Sequence, residues 1–141
     1  MSAQERHNRR DDILSAKHRR WGYNVPATDI DFVLCEYDRQ IPKALIEHRH
    51  INGSVRFDAN MTAIHHLANM AELPFFIVQY YYEGDDGELW KEHITIDTPA
   101  YFRIIAGNEQ AEKLWFTQEV DTFITEDEYV VWLHKIRGRQ P

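Results

Sequence analysis

The sequence predicts a mixed α/β domain, a central sheet with helices packed on it, and three observations carry that prediction. Two β-prone segments over residues 28–50 are joined by a polar turn. A run with helical spacing follows from Asp58. After Pro74 comes a short, continuous apolar and aromatic stretch, Phe75–Tyr82, of the length of a buried strand.

The elements follow in order. Asp11 and Asp12 precede Ile13, Leu14 and Ala16, with basic residues over 17–20, a charge polarity that suits a helix dipole. Gly22, Asn24 and Pro26 favour a turn or an extended entry segment. Asp29–Tyr37 reads as a strand, 38–42 as a turn, and Ala44-Leu45-Ile46 opens a second, antiparallel strand. Asp58 is placed to cap a helix on which Met61, Ile64, Leu67, Ala68 and Ala71 recur, and Pro74 ends it. Leu89–Ile96 is expected to pair with the strand over 75–82 across the turn 83–87. Asn108–Phe116 suggests a short helix. Thr125-Glu126-Asp127-Glu128 opens like a capping box, with Tyr129, Leu133 and Ile136 forming the apolar stripe of a last helix.

Composition narrows the function. A chain of 141 residues fits one domain, and a single cysteine, Cys35, excludes an internal disulfide and a multi-cysteine metal site. A reducing cytoplasm is the expected compartment. No apolar stretch approaches the ~18 residues of a membrane span, so neither secretion nor membrane insertion is expected. The net charge of −7 argues against a general nucleic-acid coat. Residues 1–20, however, hold six basic and three acidic residues, a net +3 that leaves −10 on the remainder. Arg19 and Arg20, just before the hairpin, are the candidates for phosphate contact, with a solvated helix end as the plain alternative.

Chemistry concentrates on the hairpin. Side chains alternate along a strand, so Asp29 and Asp31 share one face, and Lys43, Leu45, Glu47 and Arg49 share one face of the next strand. A turn near 38–42 brings Asp31 close to Glu47 or Arg49. Two carboxylates on adjacent strands suit a hard divalent cation, and a neighbouring arginine suits a phosphate. His48 and His50 are expected on the opposite face. His65 and His66 lack the spacing of a helical zinc pair, and Asp85, Asp86 and Glu88 lack the ligand pattern of a calcium loop. Gln79, mid-strand, reads as a sheet hydrogen bond or a polar neighbour of the site. Tyr80, Tyr81 and Tyr82 suggest base stacking, with core packing as the plainer reading.

Pro26-Ala27-Thr28-Asp29-Ile30-Asp31-Phe32, an apolar strand, and then Pro42-Lys43-Ala44-Leu45-Ile46-Glu47-His48-Arg49-His50 together resemble the PD-(D/E)XK nuclease superfamily. That group includes restriction-type endonucleases, repair exonucleases and Holliday-junction resolvases. The match covers roughly residues 10–97. It implies a restriction-endonuclease-like mixed central sheet flanked by helices, in one domain over 1–141 whose C-terminal extension carries the helix at about 125–137. It also implies a metal-dependent deoxyribonuclease, expected to be an endonuclease, using Mg2+ or Mn2+. Asp31, with Asp29 as its alternative, and Glu47 would bind the metal, and the main-chain carbonyl of His48 would be a further ligand. Arg49 stands where the superfamily most often has lysine. Arginine stays charged, so it can hold a phosphate but cannot serve as a general base at neutral pH. Two alternatives stay open: a catalytically inactive module binding nucleic acid or a protein partner, and a carboxylate-metal enzyme acting on a smaller phosphate ester in a closed pocket. Given the acidic chain, extra DNA affinity is expected from a homodimer or a protein partner.

Overall fold

Five short β-prone segments assemble into one mixed sheet, with helices on both of its faces. The structure is a computed structural model and describes residues 12–21, 30–36, 38–53, 57–87, 91–114 and 122–138. Along the chain run helix α1 (Asp12–Trp21), strands β1 (Phe32–Cys35) and β2 (Pro42–His50), helix α2 (Ala59–Met70), strands β3 (Phe75–Tyr82) and β4 (Ala100–Ala106), helix α3 (Glu109–Lys113), strand β5 (Ile124–Thr125) and helix α4 (Glu126–Gly138). The sheet order is β1-β2-β3-β4-β5. All neighbours are antiparallel except β2 and β3, which are parallel and joined by α2 as a crossover.

Alternation along β2 and β3 divides the core in two. Ala44, Ile46, Phe76, Val78 and Ile104 face α4, where they meet Tyr129, Trp132 and Ile136. Phe76 and Trp132 meet edge to face at 4.8 Å, and Phe102 stacks on Tyr129 at 4.2 Å. Such aromatic pairs add roughly 0.5–1.5 kcal/mol each beyond their buried area. Leu45, Phe75 and Ile77 face α2 instead and pack on Met61, Ile64 and Ala68.

Both predicted helix starts form. Asp58 accepts from the Met61 N–H at 2.8 Å and caps α2. The Thr125 hydroxyl accepts from the Glu128 N–H, while the Glu128 carboxylate accepts from the Thr125 N–H, closing a reciprocal capping box. On α4 the stripe runs through Trp132, which the sequence reading passed over, as well as Tyr129 and Ile136.

Two expectations are corrected. The partner of β3 is Ala100–Ala106, not Leu89–Ile96. Residues 91–99 form successive turns in which Thr95 and Thr98 bond to nearby backbone: Thr98 Oγ1 accepts from the Thr95 N–H and donates to the His93 carbonyl, and Thr95 Oγ1 accepts from the Asp97 N–H. These local bonds compete with a sheet ladder and leave Ile96 96% exposed. The hairpin register also differs. Phe32 pairs with Ile46 and Val33 with Leu45, two residues from the pairing expected of a turn centred at 40. The turn lies earlier than expected, with Cys35 against Pro42 and Gln40 in the left-handed region at φ 58°, and a bulge between Leu34 and Cys35 brings the offset back to two. Because the shift is even, the faces are preserved.

At the start of β3 the chain is pinned by one side chain. Asn108 Oδ1 accepts from the Phe75 and Ala111 N–H groups, and its Nδ2 donates to the Leu73 carbonyl and to Asn69 Oδ1. Gly107 must approach closely here: a Cβ on it would lie 2.7 Å from the Phe75 ring.

Candidate functional site

The α2-facing side of β2 turns polar toward its C-terminal end, where Glu47 and Arg49 follow the buried Leu45. Carrying the β1–β2 register one residue beyond Phe32 and Ile46 sets Asp31 across from Glu47, on the same face. The expected convergence of Asp31 and Glu47 therefore occurs, with Glu47 rather than Arg49 opposite the aspartate. Asp29 lies outside the described residues.

Asp31 is fixed by the main chain of β2. Its Oδ2 accepts from the His48 N–H at 3.0 Å. Neighbouring residues along β2 turn their backbone groups to alternate sides: the Leu45 and Ile51 N–H groups reach β3-side carbonyls, of Pro74 and Tyr80, while His48 turns to Asp31. Within one strand residue the N–H and C=O point the same way. The His48 carbonyl thus faces the Asp31 side.

Glu47 is 9% exposed. One of its oxygens, Oε1, lies 3.5 Å from Arg49 Nη2, while Oε2 is buried with no hydrogen-bond partner among the described residues. Burial, and next the Asp31 charge, raise its pKa above the usual 4.5, and Arg49 offsets this in part. Arg49 Nη2 also meets Asp58 Oδ2 at 3.0 Å, tying β2 to the start of α2. The Asp58 carboxyl is held below its ordinary value, first by the Met61 N–H of the helix cap and in part by Arg49. Sequence reasoning saw Asp58 only as a cap. A signal was present, because a crossover helix beginning soon after β2 puts its N-cap near that strand's end.

The imidazoles turn away, as alternation predicts. His48 Nε2 is hydrogen-bonded to the Tyr129 hydroxyl at 2.8 Å, and His50 is hydrogen-bonded to the buried carboxylate of Asp85. Burial lowers the His48 pKa, with Asp31 opposing that shift, and burial raises the Tyr129 hydroxyl well above its ordinary range. Asp85 also accepts from the Gly87 N–H and so closes its own turn. Arg19 and Arg20 lie exposed on α1, which packs on no other described helix or strand, so they are not brought to Asp31 and Glu47.

A cavity of about 700 Å³ opens on the opposite, α4 side, between Tyr80, Tyr82, Phe102, the 94–98 turns and Glu126. It contains none of the predicted site residues. Among the described residues no group of three or more His, Cys, Asp and Glu side chains is placed to hold a metal ion, so a cation here would rest on two carboxylates and backbone oxygen. No helix among them is long and apolar enough to cross a membrane. No protein-family model, curated protein or solved structure matches the chain.

Proposed function

We propose that this chain is a metal-dependent DNA nuclease, of endonuclease type, with Asp31 and Glu47 as ligands for Mg2+ or Mn2+. The observation that carries the reading is Glu47 Oε2, a carboxylate oxygen taken out of water beside a second carboxylate and given no donor among the described residues. A buried anionic oxygen without a partner costs roughly 1–3 kcal/mol or more, and a hard divalent cation is the ligand that would offset that cost. The hairpin β1–β2, the crossover helix α2 and the parallel strand β3 also suit a restriction-endonuclease-like core.

In this reading Asp31 and Glu47, with the His48 carbonyl, would hold the cation. When bound, the cation supplies Lewis acidity toward water and a phosphate oxygen. Arg49 presents a permanent positive charge, already compensated by Glu47 and Asp58, and stabilises charge on the phosphate oxygens without taking a proton. Hydrolysis joins the oxygen of water to phosphorus and breaks the bond to one sugar oxygen. The departing alkoxide is protonated, and the second proton goes to solvent or to a substrate phosphate. The acidic chain needs help to hold DNA, which a second copy or a protein partner would supply.

The test is cleavage of linear, supercoiled, single-stranded and branched DNA with Mg2+ or Mn2+. Asp31→Ala and Glu47→Ala are expected to lower the rate by at least about 100-fold while leaving the fold intact. Unchanged cleavage in both variants overturns the assignment. The contact of Arg49 with Asp58 and Glu47 favours a second reading, an inactive module in which the arginine locks the site shut. Absence of cleavage combined with metal-independent DNA binding would select it, and faster cleavage by Arg49→Lys would exclude it.

A further inference from the structure

The face that carries Glu47 continues across the sheet. Arg49 of β2 is in register with Gln79 of β3, and Gln79 with Arg103 of β4. Residues aligned this way share a face, so the three form one row beside the carboxylates. Strands lie about 4.8 Å apart, which sets the backbones of the two arginines roughly 10 Å from each other. Arg103 Nη1 donates to Gln79 Oε1 at 3.4 Å, and both side chains are half-buried.

The surroundings of this row differ from the rest of the face. Toward the start of β3, α2 covers Leu45, Phe75 and Ile77 with Met61, Ile64 and Ala68. Beyond them come Arg49, Gln79 and Arg103, and the next row is Tyr81 and Tyr101, stacked at 5.1 Å and 25°. On this face Arg103 stands between Tyr101 and Ile105 of its own strand, where apolar packing alone has no need of an arginine. Guanidinium groups beside aromatic rings, next to two carboxylates, are the chemistry that tracks a nucleic-acid backbone.

We propose that Arg103, steadied by Gln79, binds a phosphate of the strand being cut other than the one hydrolysed at Asp31 and Glu47. The inference rests on the nuclease reading above and extends its substrate contact to β4. Gln79 acts as a positioning residue, since its amide oxygen accepts from the guanidinium.

The salt dependence of binding separates this role from a structural one. Affinity for a short duplex and for its single strand would be measured across a range of KCl concentrations, with Ca2+ replacing Mg2+ to slow hydrolysis. Arg103→Gln is expected to weaken binding about tenfold. It should also make the slope of log K against log salt shallower by about 0.9 for duplex or 0.7 for single strand. Arg103→Lys should restore the slope, because the charge returns. Gln79→Leu should raise KM with little change in kcat. An unchanged slope in Arg103→Gln, with a lowered melting temperature, overturns the proposal, and Glu47-dependent cleavage in the same preparation would then leave the nuclease reading standing. A reduced slope without Glu47-dependent cleavage would retain Arg103 as a phosphate contact and sink the nuclease reading instead.

Discussion

Asn108 and Glu47 are both buried polar side chains on the α2 side of the sheet, and they are treated in opposite ways. Asn108, 7% exposed, makes four hydrogen bonds, joining the start of β3 to α2 and α3. Glu47, 9% exposed, has one oxygen near Arg49 and one with no hydrogen-bond partner among the described residues. A fold that satisfies one buried group fully has the means to satisfy the other. Buried polarity here marks structure where it is paired and a site where it is not.

The comparison breaks first at Asn108. Asn108→Ala removes the cap of α3 and a partner of the Phe75 N–H, and is expected to cost roughly 3 kcal/mol in denaturant unfolding. A loss under about 1 kcal/mol would deny it the structural role. Next, Mg2+ should protect the folded chain, by about 1.4 kcal/mol at tenfold its Kd, and should fail to protect Glu47→Gln. Equal protection of both proteins would place the cation elsewhere.

Without divalent cation, Glu47→Gln should be more stable than wild type at pH 7 by roughly 1 kcal/mol, since it removes a desolvated charge. The pH dependence fixes the sign. With its folded pKa raised, wild-type Glu47 is most favourable below 4.5 and loses stability as pH rises through the raised value, so the advantage of the glutamine should vanish in acid. His48 runs the other way. Its pKa is lowered from 6.5 by burial, so its contribution is full above 6.5 and is lost as pH falls toward the folded value. His48→Gln should remove that small acid-side slope, and chemical unfolding between pH 7 and pH 5 reads it directly.

What the sequence disclosed follows from the range of each interaction. Alternation and capping are local, so the faces of Glu47 and His48, the Asp58 cap and the Thr125–Glu128 box were legible residue by residue. Register is not local. It depended on the bulge after Leu34 and on the left-handed Gln40, neither of which has the glycine or Asn-Gly signature that would announce it. Ile94 and Ile96 imitate a strand, and only the threonine-centred turns reveal that they are not one. Misplacing β4 hid Arg103 as well, because its position beside Gln79 exists only once Ala100–Ala106 is in the sheet. Arg49 with Asp58 is likewise a contact between a strand end and a helix start, invisible to spacing.

The two-residue offset of the hairpin has a consequence for how this chain tolerates length change. Removing or adding one residue in the exposed turn 38–41 while keeping β2 in place would rotate every β1 side chain to the other side, sending Asp31 toward α4 and Phe32 toward α2. A two-residue change would slide the aspartate along β2 without turning it over. The loop thus carries an odd–even rule, under which an even change keeps the aspartate on the face of Glu47 and an odd one removes it from that face.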